Sequence, residues 1–463
     1  MRPAIPRFSN LAASLGITGL FAIGYPADVR AQTIFCPSTL PLTNGSCTNG
    51  QDGAFSGAAL ASQALSEVAE TTTQVNTKEI GKAIVERREQ ERRRPVREPV
   101  RRVPPEKPKP TAVERKEPAP PPALLPPPIE PAVRFGTWTQ VFGDYQKRDA
   151  DGPGILTCCI TGNSIGAGLG ALGGSPPTVA LNIESRTSTV GFVAGADFTS
   201  RALFSASDGF IGGVTAGYTW SNLKLNTTAT STSQPGVGTG VSRLNATVSG
   251  PTAGLYGTYF NAGFSSDVTV KFDFLTVDET FNDLLATTGA LGNPDPTRPP
   301  PFIPFAGAGS VSLLNSTVVG NLNYRFDLYP NFWIEPTVGV LYTNSSYGSG
   351  AAQLGLADGN LVRVQGGARF GTSTFTSNGV LVTTTLTGLA YNDVLVQGGF
   401  IPVGAFQGNN LLVQADQGFM RGQGILVFNF DFGDGRSSFV QGDVYGGAHL
   451  FGAGGRAGIR YQW

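Results

Sequence analysis

The chain has 463 residues, of which 62 are Gly, 33 are Pro and one is His; 14% are charged, in equal numbers of either sign. Soluble globular proteins average ~7% Gly and ~25% charged residues, so a water-soluble, helix-rich enzyme is disfavoured from the start. A mean hydropathy of −0.02 with a single long apolar run excludes a bundle of membrane-crossing helices, each of which needs about 20 consecutive apolar residues. An all-β chain survives these exclusions.

The zero net charge hides an asymmetry. Residues 78–117 hold 14 Lys and Arg against 8 Asp and Glu, whereas residues 134–463 hold 16 against 20. The basic part precedes the mildly acidic one.

Residues 1–31 read as a cleaved secretory signal. Arg2 and Arg7 precede the apolar run 11–25, and Val29-Arg30-Ala31 supplies the cleavage pattern. Residues 32–56 form a Cys-containing N-terminus rich in Gly, Asn, Ser and Thr. In an oxidising compartment Cys36 and Cys47 are able to close a small loop. Cys158 and Cys159 are adjacent, and both separate partners and free thiols stay open for them.

Residues 57–94 contain no Pro and place Ala58, Ala61, Leu65, Val68, Thr72 and Val75, then Ile80, Ile84 and Val85, at helical spacing. One helix is expected, with an Arg-rich end suited to the negative pole of the helix dipole. Both a solvated helix and one lying in a narrow channel fit that stripe. Residues 95–131 include 14 Pro interleaved with Arg, Lys and Glu. Such a linker is a semi-rigid spacer reaching at most ~115 Å at ~3.1 Å per residue.

Residues 132–463 alternate with a period of two. Val268, Val270, Phe272 and Phe274 oppose Asp267, Thr269, Lys271 and Asp273; Ala457, Ile459, Tyr461 and Trp463 oppose Arg456, Arg460 and Gln462. One face is uniformly apolar. The runs exceed the 5 to 6 residues of an average soluble strand and match the about 9 to 11 that a tilted strand needs to cross a bilayer. Aromatic pairs such as Tyr218/Trp220 and Tyr461/Trp463 stand at the ends of the apolar faces, where interfacial girdles form. An open sheet edge in hydrocarbon leaves unpaired backbone groups, so the strands must close. The expected fold is a closed antiparallel transmembrane β-barrel of about twelve strands with long and short connections alternating.

The polar face carries the expected lumen residues Asp197, Asp267, Lys271, Asp273, Arg325, Asp327, Glu335, Arg363, Arg369, Arg456 and Arg460. Their charges must face water or pair with one another, the helix or the linker. Inward glycines such as Gly213, Gly217 and Gly339 are expected to leave the lumen open. His449 is placed in the eleventh strand on the parity of Gln441 and Asp443, and an inert role is expected for it. The cluster 452–455 reads as a tight turn. No catalytic residue, cofactor site, metal site or nucleic-acid motif is identified, and an enzyme is not expected.

Residues 135–463 resemble the autotransporter β-domain of Gram-negative bacteria. The matching stretches are GTWTQVFGDYQ with Trp138, GFVAGADF, NFWIEPTVGVLY with Pro336, RVQGGARFG and GGRAGIRYQW. The resemblance implies an outer-membrane location, a pore through which a chain segment is exported, and a helix in its lumen. It also implies periplasmic chaperones and the barrel-assembly machinery as partners, the latter reading Tyr461 and Trp463; Trp463 stands where most members have Phe. A passenger of hundreds of residues is usual, whereas only residues 32–94 are available here. Three readings follow: a monomeric barrel that anchors and displays its own short N-terminal segment, a passive pore or structural protein reaching toward the cell wall, or an adhesin whose loops meet a host surface.

Overall fold

The computed structural model describes residues 57–93, 133–155, 178–205, 207–231, 240–286, 302–351, 356–400, 420–447 and 449–463. They all belong to the second of two units that divide the chain between Ile34 and Phe35. The expectations for the signal, the linker, Cys36, Cys47, Cys158 and Cys159 lie outside the described residues.

Helix α1 spans Gly57–Arg93. The strands are β1 Val133–Ile155, β2 Thr178–Arg201, β3 Asp208–Ser231, β4 Gly240–Asn261, β5 Phe264–Ala286 and β6 Phe302–Tyr324, the last continued by Phe326–Tyr329. They are followed by β7 Phe332–Tyr347, β8 Leu356–Phe375, β9 Leu381–Phe400, β10 Arg421–Gly433, β11 Arg436–Gly447 and β12 Leu450–Gln462. Each strand pairs antiparallel with its sequence neighbours, and β1 pairs with β12 from Gly136↔Gln462 to Arg148↔Leu450. Twelve strands therefore close into one barrel, and reciprocal backbone bonds between Phe135 and Trp463, at 3.1 and 3.2 Å, lock the seam.

The break in β6 at Arg325 has a covalent cause. Pro336 of β7 has no N–H to donate to the ladder, and the β6–β7 pairing is interrupted between Asn323↔Thr337 and Phe326↔Ile334. The Arg325 N–H bonds the Gly263 carbonyl instead, at 2.8 Å. Short turns at 262–263, 330–331, 376–380 and 434–435 lie at the end that holds Val133 and Trp463. The Gly433-Asp434-Gly435 turn has φ of 79°, 50° and 76°, a left-handed stretch that two of its three residues adopt without Cβ strain. Most of the longer connections lie at the opposite end.

The outer face is the lipid face. Val141, Val190, Val214, Leu255, Val268, Phe274, Leu322, Val338, Leu386, Val440 and Ile459 are exposed on it, and a hydrocarbon solvent is what makes that exposure favourable. In β3–β6 the pattern then turns inside out. Beyond Trp220 and Phe274 the outward residues become Asn222, Lys224, Asn226, Thr276 and Asp278, while Leu223, Leu225, Leu244, Val248, Leu275, Val277, Val311 and Leu313 are buried inside. That is the arrangement of a sheet standing in water. The switch marks where these long strands, 22 to 24 residues each, leave the membrane toward the long-connection end.

Three sequence expectations change. The inward glycines make room for neighbours rather than for a pore: a Cβ on Gly213 would lie 2.4 Å from the Tyr256 ring, and one on Gly339 would lie 2.1 Å from the Asn321 amide oxygen. Residues 452–455 belong to β12 and are not a turn, with Gly452 accommodating the ring of Tyr445. His449 sits in the connection after β11, at φ 61°, and not in a strand.

Candidate functional site

The helix lies inside the barrel. Its residues Val75, Ile80, Ala83 and Ile84 pack with Trp138, Phe142, Val193, Ile211, Tyr256 and Phe260 of β1–β4 in one buried cluster. These wall residues stand on the otherwise polar inner face, and the helix removes their apolar surface from water. Thr72 and Thr73 return their hydroxyl chemistry to the wall: the Thr72 and Ser221 hydroxyls share a hydrogen bond of 2.7 Å, and the Asn315 amide donates to the Thr73 hydroxyl at 2.7 Å. Lys271 donates to the Thr73 carbonyl at 2.8 Å and pairs with Asp273 at 2.9 Å.

The last turns of α1 carry an ionic clasp. Arg88 is fully buried and donates to Asp267 at 3.0 Å, to Ser265 at 2.6 Å and to Glu335 at 2.6 Å. Arg369 reaches the same Glu335 oxygen at 2.6 Å. Arg87 lies 3.2 Å from Asp197, and Arg460 spans Asp197 at 3.0 Å and the Ala83 carbonyl at 2.8 Å. Tyr256 donates to Asp197 at 2.8 Å and accepts from the Trp138 indole at 3.0 Å. The signs then reverse, because Glu89 meets Arg325 at 2.5 Å and Glu91 meets Arg201 at 3.1 Å. Alternating helix cations and anions against wall groups of opposite sign define both the height and the rotation of the helix, since any slip brings like charges together.

The direction of the helix follows. Arg87 and Arg88 lie at the short-turn end, with Asp197, Asp267 and Glu335, whereas Ala69 and Thr72 lie further toward the long-connection end beside Asn315 and Ser221. Arg93 and Val133 thus face the same end of the barrel, and Gly57 points to the other.

The sequence-derived lumen residues are placed as follows. Asp197, Asp267, Lys271, Asp273, Glu335, Arg363, Arg456 and Arg460 are buried on the inner face, and Arg369 is largely so. Arg325 bridges to the helix at the rim. Asp327 is not in the lumen: its side chain is 66% exposed, because the strand passes the rim after the break at Arg325. Arg456 pairs with Asp443 at 3.6 Å, and Arg363 grips Asp393 through two bonds of 2.6 and 2.9 Å. Tyr461 and Trp463 stack at 5.7 Å on the lipid face at the seam. Sequence reasoning missed Arg87 and Arg88 as partners of the wall. Their signal was a cation pair flanked by Glu86, Glu89 and Glu91, too regular for a dipole-capping tail. It also missed Tyr256, Tyr391 and Tyr445, whose rings stand on the inner face among polar residues. Among the described residues no group of three His, Cys, Asp or Glu is arranged to hold a metal.

No family model matches the chain, and no curated protein does. Several solved structures are similar in outline. The β-domain of the Bordetella autotransporter Brka is 16% identical at a TM-score of 0.41, covering 71% of this chain and 98% of that one. The transport unit of the autotransporter AIDA-I from Escherichia coli is 12% identical at 0.37, covering 73% and 93%. The translocator domain of the autotransporter NalP from Neisseria meningitidis is 12% identical at 0.31, covering 72% and 90%.

Proposed function

We propose that the chain is an outer-membrane barrel of the autotransporter type that anchors its own helix in the lumen and carries the segment ahead of Gly57 to the cell surface. The observation that carries this reading is the polarity of α1, whose cationic end is clasped at the short-turn end while its N-terminal end points to the long connections. Outer-membrane barrels keep short turns in the periplasm and long loops outside, so the segment 32–56 leaves on the outer side. The signal 1–31 provides export, and Tyr461 and Trp463 at the seam serve barrel assembly together with periplasmic chaperones. Arg93 and Val133, which flank the Pro-rich residues 95–131, stand toward the periplasmic end in this reading, and a linker of that composition would have the cell wall within reach.

Protease treatment of intact cells tests it. An epitope placed after Gln32 is expected to be removed together with one in 287–301. Loss of the loop epitope alone would show that the N-terminal segment is periplasmic and would overturn the display reading.

A further inference from the structure

The helix does not fill the lumen. Between α1 and the wall of β7–β11 lies a cavity of ≈150 Å³. An engineered apolar cavity of about this size takes up benzene, six carbons in all. Its apolar lining comes from Val85 of the helix and from Val319, Trp333, Leu341, Leu389, Ile425 and Val427 of the wall, while the carboxylates Glu86, Glu89 and Asp267 also border it, on the side of the Arg88 clasp. Gly81 faces it, and a Cβ there would meet nothing within 4 Å.

The outer end of this space is strongly cationic. A second cavity of ≈30 Å³ shares Gln74, Lys78, Arg363 and Tyr391 with the first, and Arg148, Arg421 and Asp393 complete its charged wall. Four cations thus line it with Asp393, and Asp144 stands behind Tyr445 as a second carboxylate. Asp393 is committed to Arg363 and lies 3.3 Å from Arg421, and Arg363 also donates to Gln74 at 2.7 Å. The Lys78 ammonium rests over the Tyr445 ring at 4.4 Å, and it lies in the field of Asp144, which accepts the Tyr445 hydroxyl at 2.7 Å. An ammonium seated on an aromatic face and only steered by a nearby carboxylate retains N–H donors for an incoming anion.

We propose that these two connected cavities form a binding site for a small amphipathic monoanion, its carboxylate or comparable head at Lys78 and the arginines and its chain of about six carbons along the apolar lining. Such a ligand touches helix and wall together and so stabilises the seated helix by mass action.

Calorimetric titration of the full-length barrel in a neutral maltoside detergent tests this with hexanoate, acetate and 1-hexanol as probes. Hexanoate is expected to bind saturably at one site, and acetate and 1-hexanol at least about tenfold more weakly, since each lacks one half of the recognition. Lys78→Gln is expected to weaken hexanoate by about tenfold. Gly81→Leu is expected to abolish it while raising the unfolding temperature, because the side chain fills the cavity and favours the helix. Absence of saturable hexanoate binding overturns the site. Equal binding of hexanoate and 1-hexanol overturns the cationic head, and binding that Gly81→Leu leaves intact overturns the location.

Discussion

The two sides of the lumen treat the helix differently. Strands β2–β5 close on it with aromatic rings, Val193, Ile211 and the carboxylates Asp197 and Asp267, and β3–β5 among them run on beyond the membrane. Strands β7–β11 reach it at fewer points, through Glu335 to Arg88 near its C-terminal end and through Arg363 to Gln74 and Tyr445 to Lys78 at its middle, and leave the cavity between; β10 and β11 are only 13 and 12 residues long. One wall thus supplies apolar packing, which is strong but unspecific about register. Directed charge contacts come from both walls, Asp197 and Asp267 on the first and Glu335 on the second; they add little net energy but define where the helix stops. A plug held this way is fixed in place without being packed on all sides.

Removing a charge from the sparse side gives the largest expected effect. Glu335→Ala leaves Arg88 and Arg369 without their shared acceptor and is expected to cost about 3–5 kcal/mol of helix seating. Single-channel recordings should show a higher conductance than wild type, and a double-mutant cycle with Arg88→Ala should show strong coupling. Equal conductance in the two proteins would mean that the β2–β5 wall alone holds the helix.

Next comes a pH effect confined to the long-strand side. Glu279 lies inside the extended part of β5, outside the membrane-spanning segments, with its neighbours Val277, Ala246 and Leu223 all buried. Burial raises its carboxyl to about 7, above the ordinary ~4.3. The folded state therefore holds this proton more tightly than the unfolded state. Stability falls as pH rises from about 4.5 to 7, by an amount of order 3 kcal/mol that is lost in full above pH 7. Hydrogen exchange at the outer ends of β4 and β5, corrected for intrinsic rates, should be faster at pH 8 than at pH 5.5, and Glu279→Gln should erase the difference. Equal protection at both pH values would contradict the burial of an ionisable carboxyl there.

A pair of glycine substitutions sharpens the contrast between the walls. Gly213→Ala pushes a methyl against Tyr256 on the packed side and is expected to destabilise by about 1–3 kcal/mol. Gly81→Ala on the cavity side meets open space and is expected to stabilise the helix by up to about 1 kcal/mol. Unfolding midpoints of the two variants should move in opposite directions. Tyr256→Phe, which removes the hydroxyl linking Trp138 to Asp197, is expected to cost about 1–2 kcal/mol in the same measurement. The smallest effect belongs to the outer surface. Arg186 holds the exposed Glu184 carboxyl below its usual range, yet water and salt screen such a pair, and Arg186→Ala should leave the midpoint unchanged.

The barrel was legible in the sequence because lipid imposes a chemical penalty at every second residue, and that penalty is local. Strand lengths were not. At Trp220/Asn222 the alternation continues but exchanges its faces, so a rule that seeks an apolar outer face stops there and shortens β2–β6. The helix stripe was legible for the same local reason, whereas its seat depends on Asp197, Asp267 and Glu335, more than a hundred residues away in sequence. Asp327 shows the limit of parity: it has the right phase for the lumen, but beyond the interruption at Pro336 the resumed ladder carries it past the rim. The tyrosines of the inner face were hidden because composition cannot distinguish a ring facing lipid from one facing a buried cation.

The exchange of faces along β3–β6 also acts as a draught mark on a hull. Asn222 and Lys224 follow Trp220 on the outer face, so a barrel that sank would carry polar side chains and then an ammonium toward hydrocarbon, and one that rose would wet Trp220 and draw the ring belt at Phe135, Tyr461 and Trp463 out of its interface. Strands β10–β12 carry no such extension above their lipid band. The molecule's depth in the bilayer is therefore set from one side of its circumference, which leaves the other side free to tolerate a thinner or thicker membrane.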